Sequence, residues 1–260
     1  MTDQEVAKFL KASSEGPPFQ RGNPALAELV IRLNQWHHYY EFLRIIRTRH
    51  QRVSEKFREH MKEALAYWRS LPQGSRETTD KDLEYHGKSR EFQFRLSLDI
   101  ESFYLFAAIL LDHAAETVPF YFNIKDHKKP RRIAKWDNDA LTKSFLDTAA
   151  SLNIQGDITG LVQQASKLQG SVTNYRNRKI THLDNHRRFF GIGFNDEGTW
   201  ISGGIMNPTP EESDPFPKTT ELNTLFEKID AYLACVFKML AQNQAQSILQ
   251  PTTSSSSSQP

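Results

Sequence analysis

The chain has 260 residues and a formal net charge of +2, with hydrophobic residues at 38% and aromatic residues at 11%. That is enough apolar matter for a sizeable core, which excludes disordered and fibrous classes, and too small a charge excess for a generic polyanion binder. No apolar run approaches the roughly 20 residues that span a bilayer. The mixed-charge start MTDQEVAKFLKASS holds no apolar signal core, and the one cysteine, Cys235, has no mate for an internal disulfide. The expectation is a cytoplasmic protein with no membrane partner, in which Cys235, on an apolar helical stripe, is a buried thiol.

In chain order, Thr2 with Glu5 three residues on makes a capping box and predicts a short helix over residues 2–13, ended by Gly16-Pro17-Pro18. Residues 1–22 read as an N-terminal helical arm and loop. Pro24 then suits the first turn of a long helix. Leu26, Leu29, Leu33, Trp36, Tyr40, Leu43 and Ile46 recur at threes and fours, and Val53, Phe57, Ala64 and Trp68 prolong the stripe to about residue 71. A basic stretch in its middle is the place for a break, and Pro72-Gln73-Gly74 is the stop. Residues 75–87 are polar and read as a loop. Phe92, Phe94, Leu96, Leu98 and Ile100 alternate as a strand would. Phe103, Ala107, Leu110, Leu111 and Ala114 continue from Ile100 at helical spacing, so one helix over residues 89–117 is preferred, with Pro119 ending it. Asp137-Asn138-Asp139 caps a helix over 140–152. Asp157 opens the next, with Leu161, Ala165, Leu168, Val172 and Tyr175 on one stripe and Gly170-Ser171 as an interruption.

The β signal lies at residues 190–202, where a four-residue turn, Asn195-Asp196-Glu197-Gly198, joins two short alternating runs into a hairpin. A Pro-rich loop at 207–217 precedes the cleanest amphipathic helix, marked by Leu222, Leu225, Phe226, Ile229, Leu233, Val236, Phe237 and Leu240. Residues 246–260 form a Ser-rich tail with little apolar to bury, predicted to be disordered. The fold class that follows is all-α, a bundle of four to five long helices over residues 23–245 with a small β-hairpin inserted before the last helix.

Basic residues cluster at 44–52, 127–132, 176–179 and 186–188. Each is either a phosphate-holding patch or, more plainly, a solvated face. One segment carries chemistry: Asn174-Tyr175-Arg176-Asn177-Arg178-Lys179-Ile180-Thr181-His182-Leu183-Asp184. In a regular helix His182 falls on nearly the same face as Tyr175, seven residues back, with Arg178 as its neighbour one turn earlier, whereas Arg176 is turned away. Histidine moves protons near neutrality, and arginine binds phosphate through two parallel hydrogen bonds. Together they suffice for metal-independent RNA cleavage, the imidazole serving the attacking or leaving oxygen and the guanidinium the charge growing on phosphorus. The plainer alternative is a capped helix end with a half-buried histidine. His182, Asp184 and His186 also have a spacing that holds zinc, yet no cysteine pair or HExxH supports it, and no metal or other cofactor is expected. The remaining histidines, among them His37, His38, His60 and His113, lie along helical stripes as core or surface residues.

Arg176-Asn177 followed by His182 resembles the motif of the HEPN superfamily (higher eukaryotes and prokaryotes nucleotide-binding), an Arg, often a polar residue next, then His after a gap of four to six. Five residues, 177–181, separate them here. The helical pattern over residues 24–240 is similar to that family's all-α bundle, and residues 100–112 resemble one of its long later helices. The resemblance implies a homodimer whose two motifs face each other in one composite RNase site. In it Arg176 binds phosphate, Asn177 positions it and His182 handles protons. Arg178 competes with Arg176 for the same part, Tyr175 lies beside the motif, and Asp99 or Glu101 on an earlier helix is an accessory acid unless Asp99 simply pairs with Arg95 one turn back. Implied partners are RNA, a second copy of the chain and an antitoxin or regulatory protein, in the setting of a toxin or defence effector. The same resemblance also covers inactive nucleotide-binding or assembly modules, and a helical interaction protein without an active site is the reading that needs no resemblance.

Overall fold

A computed structural model of the chain describes residues 24–71, 78–124, 139–173, 188–195, 198–205 and 219–249. The expected N-terminal arm and residues 250–260 of the expected tail lie outside the described residues. The described backbone is predominantly helical: α1 is Pro24–Ser70, α2 Asp80–Tyr121, α3 Asp139–Ser151, α4 Ile158–Leu168 and α5 Thr219–Gln242. Strands β1, Arg188–Asn195, and β2, Gly198–Ile205, pair antiparallel from Arg188 opposite Ile205 to Asn195 opposite Gly198. The basic stretch at 44–52 does not break α1, because Leu43, Ile46, His50 and Phe57 keep one buried face in phase through it.

Contacts divide the chain into two compact units. One gathers the described residues up to Tyr40, those from Ala107 to Thr173 and those from Lys228 on; the other gathers those from Glu41 to Phe106 and the later ones up to Glu227.

In the first unit Leu29, Leu33 and Trp36 of α1 are sealed, as are Leu110, Leu111, Ala114 and Val118 of α2 and Leu233, Val236 and Leu240 of α5. Burying a leucine of this kind contributes roughly 2 kcal/mol. The Trp36 ring meets Phe237 edge-on at 5.1 Å, and its Nε1 donates to Thr117 Oγ1 at 3.2 Å, which itself donates to His113 O at 2.8 Å. Tyr40 Oη donates to Asp230 Oδ1 at 2.9 Å. Helix α2 passes Pro119 and ends at Tyr121, four residues beyond the expected end at 117. A Schellman closure accounts for this: Asn123 takes φ 51°, its N–H donates to Phe120 O at 3.0 Å, and Ile124 N–H donates to Pro119 O at 2.8 Å. Helix α3 closes the same way through Asn153, φ 53°, with Ile154 N donating to Ala149 O at 3.0 Å. Asp157 caps α4 by accepting from Gly160 N at 2.8 Å, and α4 runs into a π-helical turn, Gln169–Thr173, at the Gly170-Ser171 interruption.

Past α5 the chain stays packed as far as Leu249. Ile248 N–H donates to Tyr121 O at 2.7 Å, while Tyr121 Oη donates to Leu240 O at 2.9 Å. Asn243, fully buried, accepts from Gln155 N at 2.6 Å and donates to Gln155 O at 2.8 Å and Met239 O at 2.7 Å. One amide thereby ties the end of α5 to the α3–α4 connection. Cys235 corrects an expectation: it is exposed. The buried face of α5 runs through Ile229, Tyr232, Leu233, Val236 and Leu240, and Cys235 sits about 100° off Val236.

In the second unit Phe57, Met61 and Ala64 of α1 pack on Leu96 of α2, flanked by Val53, Trp68, Tyr85 and Phe92. Buried His60 places Nε2 3.2 Å from Tyr85 O and 3.1 Å from Ser89 Oγ. The expected loop at 75–87 is helical from Asp80 onward. A reciprocal cap explains the early start: Thr79 Oγ1 accepts from Asp82 N at 3.1 Å, and Thr79 N donates to Asp82 Oδ2 at 2.9 Å. Asp82 Oδ1 further accepts from Trp68 Nε1 at 2.8 Å, which anchors the new helix to the old one. These bonds hold the Asp82 carboxyl below the usual carboxylate range, the Thr79 backbone bond foremost.

Asn243→Ala leaves both backbone groups of Gln155 and the Met239 carbonyl short of a partner. The expected loss is about 2 kcal/mol of unfolding free energy, read from urea unfolding followed by helical circular dichroism. A loss indistinguishable from zero would show that water replaces the amide and that the tie is dispensable.

Candidate functional site

The motif segment is entered from the π-helical turn and left at Arg188. Tyr175, Arg176, Asn177, Arg178 and His182 themselves lie outside the described residues, as do Asp184 and His186. The accessory acids and the basic cluster at 44–52 are described, and their chemistry is set by where each falls on its helix.

Asp99 sits on the buried face of α2 with 1% of its surface exposed. Its partner is not Arg95, which turns outward to Glu91 one turn back. Arg49 of α1 takes that place instead: Nε donates to Asp99 Oδ1 at 2.7 Å, and Nη2 closes on the same oxygen. The correction has a simple cause. Arg95 and Asp99 are four residues apart, but Arg95 points to solvent, where an exposed Glu91 meets it without desolvation. Asp99 Oδ2 is buried and has no hydrogen-bond partner. Burial pushes the Asp99 carboxyl up, and the bond and charge of Arg49 oppose that shift. A carboxylate so enclosed cannot touch a substrate phosphate; it can hold Arg49, whose side chain is half exposed. Glu101 is partly exposed. At two residues' separation, about 200° around the helix, Asp99 and Glu101 cannot serve one site from a regular turn.

The basic cluster is largely engaged. Arg44 donates to Glu41 at 2.6 and 2.9 Å, and Arg47 lies over the Phe226 ring at 4.3 Å. His50, in the middle of this charge run, is buried with Nδ1 unpartnered, and desolvation lowers its pKa to about 4. It is therefore a neutral imidazole at physiological pH. Charge composition hid it. Its exact seven-residue spacing from Leu43 and to Phe57 is the sequence signal that places it inward.

In the first unit, a cavity of about 320 Å³ is lined by Arg32, Glu116, Phe120, Asn123 and Ile248, with the Arg32 guanidinium 4.7 Å from the Phe120 ring centroid. A smaller one of about 220 Å³ borders Cys235, Asp157, Lys238 and Gln242. Among the described residues no three His, Cys, Asp or Glu side chains converge as a metal would require, and no helix is long and apolar enough to cross a membrane. No protein family, curated protein or solved structure matches the chain.

The His50 environment predicts a pH effect with a defined sign. The folded imidazole titrates near 4 and the unfolded one near 6.5, so the unfolded chain binds the extra proton between those values. This contribution to stability is complete above pH 6.5 and is lost as pH falls towards 4, on the order of 3 kcal/mol. Chemical unfolding of the wild type and His50→Leu at pH 7, 5.5 and 4.5 should give a shallower decline for the variant. Equal slopes would place the acid sensitivity elsewhere.

Proposed function

We propose that the chain is a metal-independent endoribonuclease of the HEPN type, acting in the cytoplasm as a homodimer in the setting of a toxin or defence effector held in check by a partner protein. Its architecture in this reading is a helical bundle with the β1–β2 hairpin inserted before α5. The observation that carries the reading is the spacing of Arg176-Asn177 and His182. The predominantly helical backbone of the described residues supports it.

The chemistry needs no ion. The 2′-oxygen of one nucleotide attacks the adjacent phosphorus, the bond to the 5′-oxygen breaks, and the products are a 2′,3′-cyclic phosphate and a 5′-hydroxyl. His182 transfers the proton at one of those oxygens. Arg176 neutralises charge on the phosphoryl oxygens, and Asn177 orients the group. Asp99, being enclosed, contributes by holding Arg49 rather than by contact with RNA.

Purified protein incubated with total RNA in excess chelator should cleave it, and His182→Ala, folded by circular dichroism, should not. Cleavage by His182→Ala at the wild-type rate would remove that residue from the mechanism. No cleavage by the wild type at any concentration would favour a nucleotide-binding or assembly module.

The two arginines separate by kinetics. Arg176→Ala should lower turnover at saturating RNA by on the order of 100-fold, as loss of a transition-state donor does. Arg178→Ala should mainly raise the RNA concentration required and flatten its salt dependence. The reverse pattern would assign the scissile phosphate to Arg178.

A further inference from the structure

Helix α2 carries an apolar face that its own unit leaves open. Leu83, Phe94, Leu98 and Leu105 are exposed by 61, 63, 58 and 40%. They are not scattered. With Gly87, Arg90 and Glu101 they occupy positions 83, 87, 90, 94, 98, 101 and 105, steps of four, three and four taken twice. An 11-residue repeat keeps one side of a nearly straight helix in register, here over about 33 Å. Gly87 sits inside α2 with nothing among the described residues within 4 Å of where a Cβ would lie, so no contact among them accounts for its cost of about 1 kcal/mol relative to alanine. A contiguous open stripe of this size marks an interaction surface.

We propose that this face is a self-association surface, on which a second copy of the chain packs its own α2 antiparallel about a two-fold axis at Phe94. The stripe is laid out for that operation. Turned about Phe94, Leu83 falls level with Leu105 of the second copy, Gly87 with Glu101, and Arg90 with Leu98. Glycine opposite glutamate gives the longer side chain room at close helix approach.

The charges match as well. On one flank Arg90 lies three residues, about 4.5 Å along the axis, from Glu101 of the other copy; on the other flank Arg95 lies two residues from the other copy's Glu91. Each pair occurs twice by symmetry, as an isologous contact requires. Arg90 also packs its guanidinium 5.5 Å from the Phe94 ring centroid, so the central aromatic carries its own cation. A parallel arrangement in the same register would instead bring Arg90 to Arg90 and Glu101 to Glu101. The inference does not rest on RNA cleavage. It differs from a dimer in which the two 176–182 motifs face each other, and the two are separable.

The test is sedimentation velocity of the full chain over a concentration series, with circular dichroism as the check on folding. The wild type should dimerise. Phe94→Glu, at a position 63% exposed, should stay helical and weaken dimerisation on the order of 100-fold. Arg90→Glu should weaken it on the order of 10-fold, and Arg90→Glu with Glu101→Arg should recover it. A wild-type monomer at all concentrations, or a dimer indifferent to Phe94→Glu, overturns the surface. A dimer broken by Arg90→Glu but not recovered by the exchange overturns the antiparallel register. RNA cleavage measured on the same variants reports separately on the proposed activity.

Discussion

A helix satisfies its own backbone, so nothing in its hydrogen-bond ladder says where a neighbour must sit. Apolar burial does not say so either, because it is non-directional and survives a slide of one turn. Register here rests on a few buried polar side chains that find partners at only one setting. In the first unit these are Trp36 on Thr117, Tyr40 on Asp230, Tyr121 on Leu240 O and Asn243 on both backbone groups of Gln155. In the second they are Trp68 on Asp82, His60 beside Tyr85 O and Ser89, and Arg49 on Asp99. Each would leave an unmade bond in a dry interior if its helix moved, and that penalty is what makes the arrangement unique.

The Arg49–His50 pair shows how sharply one helix step divides environments. Adjacent in sequence and about 100° apart around α1, one remains a half-exposed cation and the other a neutral ring held from water. Asp99 meets the first and leaves Oδ2 unsatisfied. Among the described residues the second unit thus holds two incompletely paired polar groups beside a basic helix segment, and the first unit holds its own, the fully buried Tyr232 hydroxyl among them. Each unmade bond of this kind costs stability.

Periodicity made the helices legible. The stripe from Leu29 to Ala64 buries as its spacing says, with Leu26, Val53 and Trp68 half-buried, as does the one from Leu222 to Leu240, and Asp157 caps as its position says. What misled was local polarity. Residues 80–88 carry only Leu83 and Tyr85 as large apolar side chains, too few to show a helical period by themselves, and the reciprocal cap of Thr79 and Asp82 is the signal that starts the helix there. Pro119 looked like a stop, but a left-handed Asn123 was needed to complete one. Cys235 shares a helix with a buried stripe without sharing its face. Asp99's true partner lies 50 residues away, and no spacing rule on a single helix can find it. The segment 176–182 lies outside the described residues, so its reading rests on spacing in the sequence alone.

The tie between Asn243 and Gln155 has a consequence for the order of assembly. The first unit is composed from stretches around Trp36, Tyr121, Gln155 and Asn243, and its joining bonds span 81 to 190 residues. Closing loops of that length comes late and slowly. The core of Phe57, Met61, Ala64 and Leu96 needs only a neighbouring pair of helices and joins residues within one short stretch of chain. As the polypeptide leaves the ribosome, the second unit's helical pair can therefore close early, while the apolar faces of Trp36 and Tyr121 stay uncovered until α5 has been synthesised. That interval is when the nascent chain is most exposed to aggregation and most dependent on a chaperone.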